Sequence, residues 1–119
     1  MKDILVIEDD QLILKMVEFR LKKEGHKVVI AEDGNKGLDA LDNWEPDLII
    51  TDIMVPYKSG IEIIEFAKNK YPKCPIIVLS ALGDEEGTVM EAFNMGVADF
   101  VPKPFNPNEL AIRVKRLFN

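Results

Sequence analysis

Asp47-Leu48-Ile49-Ile50-Thr51-Asp52 sets an aliphatic run between two acids. Its aliphatic centre shows no polar alternation, so it does not suit a strand with one wet face. A strand covered on both faces belongs to a parallel sheet packed between helices. The run then ends in an acid, Asp52. In open parallel sheets ligands bind beyond the carboxyl ends of the strands, so an acid at this place is a candidate for function as well as a terminator.

Ile4-Leu-Val-Ile7, Val28-Val-Ile30 and Ile76-Ile-Val-Leu79 repeat the pattern, and Asp99-Phe-Val101 is a fifth, short strand. The four longer runs read as strands buried on both faces. Helical spacing fills the gaps. Ile13, Met16, Val17 and Leu21 predict an inward stripe, with Lys15, Glu18, Arg20 and Lys22 facing water and Gly25 as the stop. A second helix is predicted over 35–42 and a third over 61–69, where Ile61, Ile64 and Ala67 or Lys68 share a side and Tyr71-Pro72 closes the segment. The fourth, over 85–95, follows Asp84-Glu85-Glu86, acids that suit the positive end of a helix dipole. It offers Val89, Ala92 and Phe93 as its core stripe and stops at Gly96. Asn106-Pro107-Asn108-Glu109 combines a capping Asn, a Pro at the first helical position and a Glu three residues on. The last helix is then expected to bury Leu110, Val114 and Leu117, leaving Arg113, Lys115 and Arg116 on its polar face.

Strict strand–helix alternation implies an α/β fold, a doubly wound five-stranded parallel sheet covered on both faces. With 119 residues, 47% of them hydrophobic, the chain is expected to form a single domain, 1–119, around one sizeable core. Its formal charge of −6 repels a phosphate backbone, so direct nucleic-acid binding is not expected. No apolar run approaches the roughly 20 residues that cross a bilayer, so no membrane role is expected. Cys74 stands alone and cannot form an internal disulfide, and no secretory signal pattern opens the chain. A cytoplasmic setting is the default expectation.

The residues that follow the apolar runs are Glu8-Asp9-Asp10, Asp52, Ser80 and, after the fifth, Lys103. Gathering carboxylates costs Coulomb energy unless a cation joins them, and oxygen-only donors select a hard ion such as Mg2+. Beside such an ion an aspartate can attack phosphorus, provided charge on the equatorial oxygens is neutralised. Lys103 and the Ser80 hydroxyl are the groups available for that. Each has a plainer reading, Ser80 as a cap and Lys103 as a surface lysine; their coincidence at strand ends argues otherwise. For Asp10 the plainer reading, charge at a helix start, is preferred. His26 reads as an exposed turn residue, Cys74 as packing, and Trp44 as a cover for the end of the second helix. Met90 and Met95 suit either helix packing or an adaptable contact surface.

Four segments, Ile4-Leu-Val-Ile-Glu-Asp-Asp10, Thr51-Asp-Ile-Met-Val-Pro56 with Ser59-Gly60, Val78-Leu-Ser-Ala81 and Phe100-Val-Pro-Lys-Pro-Phe105, resemble in order and spacing the receiver domain of two-component response regulators. The resemblance runs from Lys2 to Asn119. It implies a flavodoxin-like sheet of strand order 2-1-3-4-5. It also implies Asp52 as phosphoacceptor, Asp9 as a direct metal ligand, Glu8 as a ligand through water and Met54 as a ligand through its backbone carbonyl. Ser80 and Lys103 would contact the phosphoryl group, Phe100 would be the aromatic switch, and Lys103-Pro104 would be cis. The partners implied are a sensor histidine kinase or phosphotransfer protein, and a downstream protein or an output domain elsewhere. Self-phosphotransfer and slow autodephosphorylation are implied, and no other enzymatic activity. Asp99 and Arg113 match positions used for phosphorylation-dependent homodimers, whereas Glu91 replaces a basic residue usual in those regulators. Phe100 stands where Tyr is commoner, so ring burial must carry any conformational signal. Three competitors remain: a dehalogenase-type phosphatase, which resembles a family with Asp-x-Asp where this chain has Glu8-Asp9-Asp10; a flavodoxin-like electron carrier, which wants a Ser/Thr/Gly-rich phosphate loop; and a receiver-like scaffold that binds partners without phosphorylation.

Overall fold

A computed structural model describes residues 1–118; the expectations that extend to Asn119 lie outside the described residues. Strands β1 (Asp3–Ile7), β2 (Lys27–Ala31), β3 (Leu48–Asp52), β4 (Ile76–Ser80) and β5 (Asp99–Pro102) alternate with helices α1 (Gln11–Lys23), α2 (Gly34–Asp42), α3 (Gly60–Lys70), α4 (Glu86–Asn94) and α5 (Pro107–Leu117). The sheet is parallel throughout, in the order β2-β1-β3-β4-β5. Two apolar layers sandwich it. Leu5, Ile7, Ile49, Ile63, Ile64 and Val78 lie on the α2–α3–α4 side, while Ile4, Val6, Ile50, Leu14, Leu21 and Val114 lie on the α1–α5 side. Every residue of β3 is buried, as the reading of its sequence requires.

The edge strand β2 departs from that reading. Its burial alternates, with Val29 43% exposed, because a strand at the end of the sheet has a neighbour on one side only. The helices depart in phase. The buried stripe of α1 is Leu14, Val17 and Leu21, whereas Met16 turns outward and Ile13 is half-buried. In α3 Ile63, Ile64 and Ala67 are buried and Ile61 is half-buried. In α4 only Ala92 is buried; Phe93 is 63% exposed and Val89 partly so. In α5 Ala111 joins Leu110 and Val114 in the core, and Leu117 is half-buried. A three- or four-residue repeat identifies a stripe, but where several aliphatics crowd one helix the sheet beneath selects which of them faces in.

The helix boundaries follow their caps. The Asp10 carboxylate accepts the N–H groups of Leu12 and Ile13, Asp33 caps α2, Ser59 caps α3, and Asn106 accepts the Asn108 N–H with Pro107 at the first turn of α5. Gly25 and Gly96, at φ +94° and +82°, follow α1 and α4.

Candidate functional site

Register sets the site. Ile7 pairs with Thr51, Asp52 with Leu79, and Ser80 with Pro102, so β1, β3, β4 and β5 end at one level. Three backbone bonds extend it past the strands: Glu8 N–H to the Ala31 carbonyl at 3.0 Å, Ile53 N–H to Leu79 at 3.2 Å and Lys103 N–H to Ser80 at 2.7 Å. Glu8, Asp52 and Lys103 therefore arrive on one edge from chain positions as much as 95 residues apart (103 − 8).

Glu8 and Asp52 are buried and Asp9 is exposed, yet one carboxylate oxygen of each lies within 4.8 Å of the others. The Lys103 ammonium stands 2.7 Å from Glu8 Oε1 and 2.9 Å from Asp52 Oδ1, and it donates to Asp52 Oδ2 at 3.0 Å. Glu8 Oε2 accepts the Asp10 N–H at 3.0 Å. The side chain of Asp10 turns to α1, in line with its plainer reading.

One lysine faces two buried acids, so the pair cannot both be comfortably charged. Burial opposes charge on Glu8, but hydrogen bonds with Asp52 and Lys103 outweigh it and hold Glu8 below the usual carboxylate range. Burial, together with sharing a hydrogen bond with Glu8, pushes Asp52 up to about 8. Burial would lower Lys103, yet its bonds to Glu8 and Asp52 raise it. The pair therefore divides, Glu8 favouring its charged form and Asp52 its protonated one.

Glu8 Oε1 and Asp52 Oδ1 are fully buried and lack an aligned hydrogen bond, although Lys103 is close to both. Buried oxygens with spare lone pairs, and no nitrogen or sulfur donor among them, are what a hard dication needs. These residues fit Mg2+.

A cleft of about 40 Å³ opens on the cluster, lined by Asp52, Met54, Leu79, Ala81, Asp84 and Lys103. Its rim is shaped by the β3–α3 loop. Met54 bridges to Ser59, the Gly60 N–H donates to the Ile53 carbonyl at 2.6 Å, and Tyr57 adopts φ +71°. Gly60 is obligatory there, because a Cβ would stand 2.5 Å from the Asp52 carbonyl oxygen. Ser80 is half-buried at the end of β4, between two lining residues but outside the lining itself. Phe100 is half-buried on β5 and stacks on Phe93, centroids 6.2 Å apart and planes at 27°. The Lys103-Pro104 bond is cis.

Two residues at this edge escape a sequence reading. Thr51 donates its hydroxyl to the Asp52 carbonyl at 3.0 Å; a lone Thr in an aliphatic strand was the available signal. Asp84 lines the cleft, whereas its sequence context, three successive acids, suggests only helix-start charge. Elsewhere the plainer readings fit. Cys74 is buried, with its thiol pushed up to about 11 by burial, and Trp44 packs on the α2–α3–α4 core. His26 is half-buried rather than exposed, and its Nδ1 accepts the Lys2 N–H at 3.2 Å. Met90 is 52% exposed and Met95 partly packed. Arg113 donates to both Asp99 oxygens at 2.9 Å, within one chain.

The sequence matches the response regulator receiver domain family over residues 4–115. Among solved structures it is similar to the receiver domain of Francisella response regulator 1452, at 31% identity over 99% of this chain and 97% of that one, with a TM-score of 0.87. It is also similar to a CheY-like receiver domain protein from Methanospirillum hungatei, at 29% identity, 98% and 93% coverage and a TM-score of 0.92. A third similarity is to NtrX from Brucella abortus, at 30% identity and a TM-score of 0.87, where the match takes in 97% of this chain but 26% of that protein. With the sheet order, the acidic edge and a family match across nearly its whole length, this chain belongs to the response regulator receiver domains of two-component signalling.

Proposed function

We propose that the chain is a phosphoacceptor switch in which Asp52 takes a phosphoryl group from a sensor histidine kinase or a phosphotransfer protein. The observation that carries this reading is the convergence of Glu8, Asp9 and Asp52 oxygens within 4.8 Å, with the Lys103 ammonium 2.9 Å from Asp52.

Asp52 is the nucleophile by position: of the three clustered acids Glu8, Asp9 and Asp52, it is the one that lines the cleft together with Lys103. An Asp52 oxygen forms a bond to phosphorus as the donor's P–N bond breaks, and the imidazole leaves with the electron pair and takes up a proton. Glu8, Asp9, Asp52 and the Met54 backbone carbonyl are the groups that would hold Mg2+, which neutralises phosphoryl charge when bound. Lys103 leaves its contact with Glu8 to serve a phosphoryl oxygen, and the Ser80 hydroxyl turns inward from the end of β4. Phe100 then gives up its stack on Phe93 and packs inside. The face formed by α4, β5 and α5 changes accordingly, and a partner or an output domain reads it. A coupling of about 1–3 kcal/mol changes partner affinity several- to a hundredfold. The NtrX match, which takes in about a quarter of that protein, supports output carried on a longer chain. A cytoplasmic setting, expected from the lone cysteine, goes with this reading; none of the described helices is long and apolar enough to cross a membrane.

The test is incubation with acetyl phosphate and Mg2+ followed by intact mass measurement. One phosphoryl adduct is expected, absent in Asp52→Asn and lost slowly by autohydrolysis. An unmodified wild-type mass would favour the scaffold that binds partners without phosphorylation.

A further inference from the structure

The turn between β4 and α4, Ala81-Leu82-Gly83-Asp84, is closed twice. The Asp84 N–H donates to the Ala81 carbonyl at 3.1 Å, and the Asp84 carboxylate in return accepts the Ala81 N–H at 2.6 Å. Gly83 lies at φ +100°, a conformation the turn requires and side chains rarely adopt. Leu82 at its tip is wholly exposed. Ala81 and Asp84 both line the small cleft with Asp52 and Lys103. Lys103 is the one cation among the described residues of that lining, and it already stands within 3.0 Å of both Glu8 and Asp52. Asp84 is thus a further carboxylate on the cleft, held by a backbone donor.

We propose that the Asp84 carboxylate is an internal substitute for a phosphoryl oxygen, holding the Ala81 N–H at the cleft until a phosphoryl group on Asp52 displaces it. The inference rests on the phosphoacceptor reading and adds a positioning residue to it. A phosphoryl group brings about 1.5–2 negative charges and three acceptor oxygens. Its charge repels Asp84 across the shared cleft, and its oxygens compete for the same N–H. Release of the turn passes directly to α4, which starts two residues later. The N-cap residue of that helix, Glu85, makes no side-chain cap bond, and Ala92 alone is buried, so little else pins its start. In the resting protein Asp84 therefore opposes occupation of the site while keeping the loop ordered.

The experiment titrates wild type, Asp84→Asn and Asp84→Ala with beryllofluoride in the presence of Mg2+, and measures amide hydrogen exchange at Ala81 without ligand. Asp84→Asn removes the charge but keeps an acceptor of the same size; Asp84→Ala removes both. Beryllofluoride is expected to bind more tightly in the order wild type, Asn, Ala, by about two- to tenfold in total, and the Ala81 amide to exchange faster in Asp84→Ala. A purely structural turn predicts the reverse order of affinity, because a loosened loop must be ordered on binding. Equal or weaker binding by both variants, with wild-type binding intact, overturns the inference. If wild type itself binds no beryllofluoride, the phosphoacceptor reading fails and this inference falls with it, so the two failures are told apart.

Discussion

The centre of the sheet and its α4–β5 margin are built from similar residues and held very differently. Every residue of β3 is buried, and α1 sets Leu14, Val17 and Leu21 into the layer above it. At the other margin α4 buries Ala92 alone and leaves Met90 52% and Phe93 63% exposed, while Phe100 is half-buried. The acids of the site grow from the first region, and the groups expected to move lie in the second. Chemistry needs carboxylates held at fixed separations, so it suits a close-packed foundation. The proposed switch needs an element whose alternative packing costs little, and α4, with Ala92 alone buried, has little to lose.

The contrast breaks most readily by truncation. Ile50→Ala, at a fully buried position, is expected to cost about 2–5 kcal/mol, whereas Phe93→Ala costs no more than the roughly 0.5–1.5 kcal/mol of an aromatic stack. Urea unfolding of both variants measures the difference, and equal losses would erase the distinction between the two regions.

A second test sharpens what the rigid region holds in strain. Asp52 has an ordinary value of 3.8 and is pushed up to about 8 in the folded, metal-free protein. The folded state therefore holds its proton more tightly than the unfolded chain. The stability this contributes is complete below about pH 4 and is lost as pH rises through about 8. Asp52→Asn does not titrate, so in chelator it is expected to be more stable than wild type by about 1–4 kcal/mol near pH 8, with the gap closing as pH falls. Thermal or urea unfolding at pH 6 and pH 8 reads this directly, and a pH-independent gap would contradict it.

The smallest effect concerns the metal. On the proposed reading Mg2+ competes with a proton for Asp52, so its affinity is expected to rise by up to about tenfold per pH unit toward about pH 8, one proton leaving per ion bound. Calorimetric titration in buffers of different ionisation enthalpy counts the proton. An affinity flat from pH 6 to pH 8 would mean that Asp52 is already ionised.

Much of this was legible beforehand. The strands at positions 4–7, 48–50 and 76–79, the cap at Asn106, and the strand-end residues Glu8, Asp52, Ser80 and Lys103 all rest on local signals, apolar runs and their punctuation. What was misread involves choice among neighbours. Met16 and Phe93 look inward by spacing and are turned out, because Leu14 and Ala92 fit the underlying surface. Val29 looks buried and is not, since the sequence of β2 does not announce that the strand lies at an edge.

By itself the sequence determined the order of elements and which side chains end each strand, for those depend on residues within a turn or two of one another. Tertiary structure alone decided that Lys103 reaches Asp52 across fifty-one residues, that the titrations of Glu8 and Asp52 are pushed in opposite directions, and that Asp84 closes on the cleft. Charge, burial and hydrogen bonding act over a few ångströms of space whatever the separation along the chain, so these properties exist only once the sheet has brought its distant ends together.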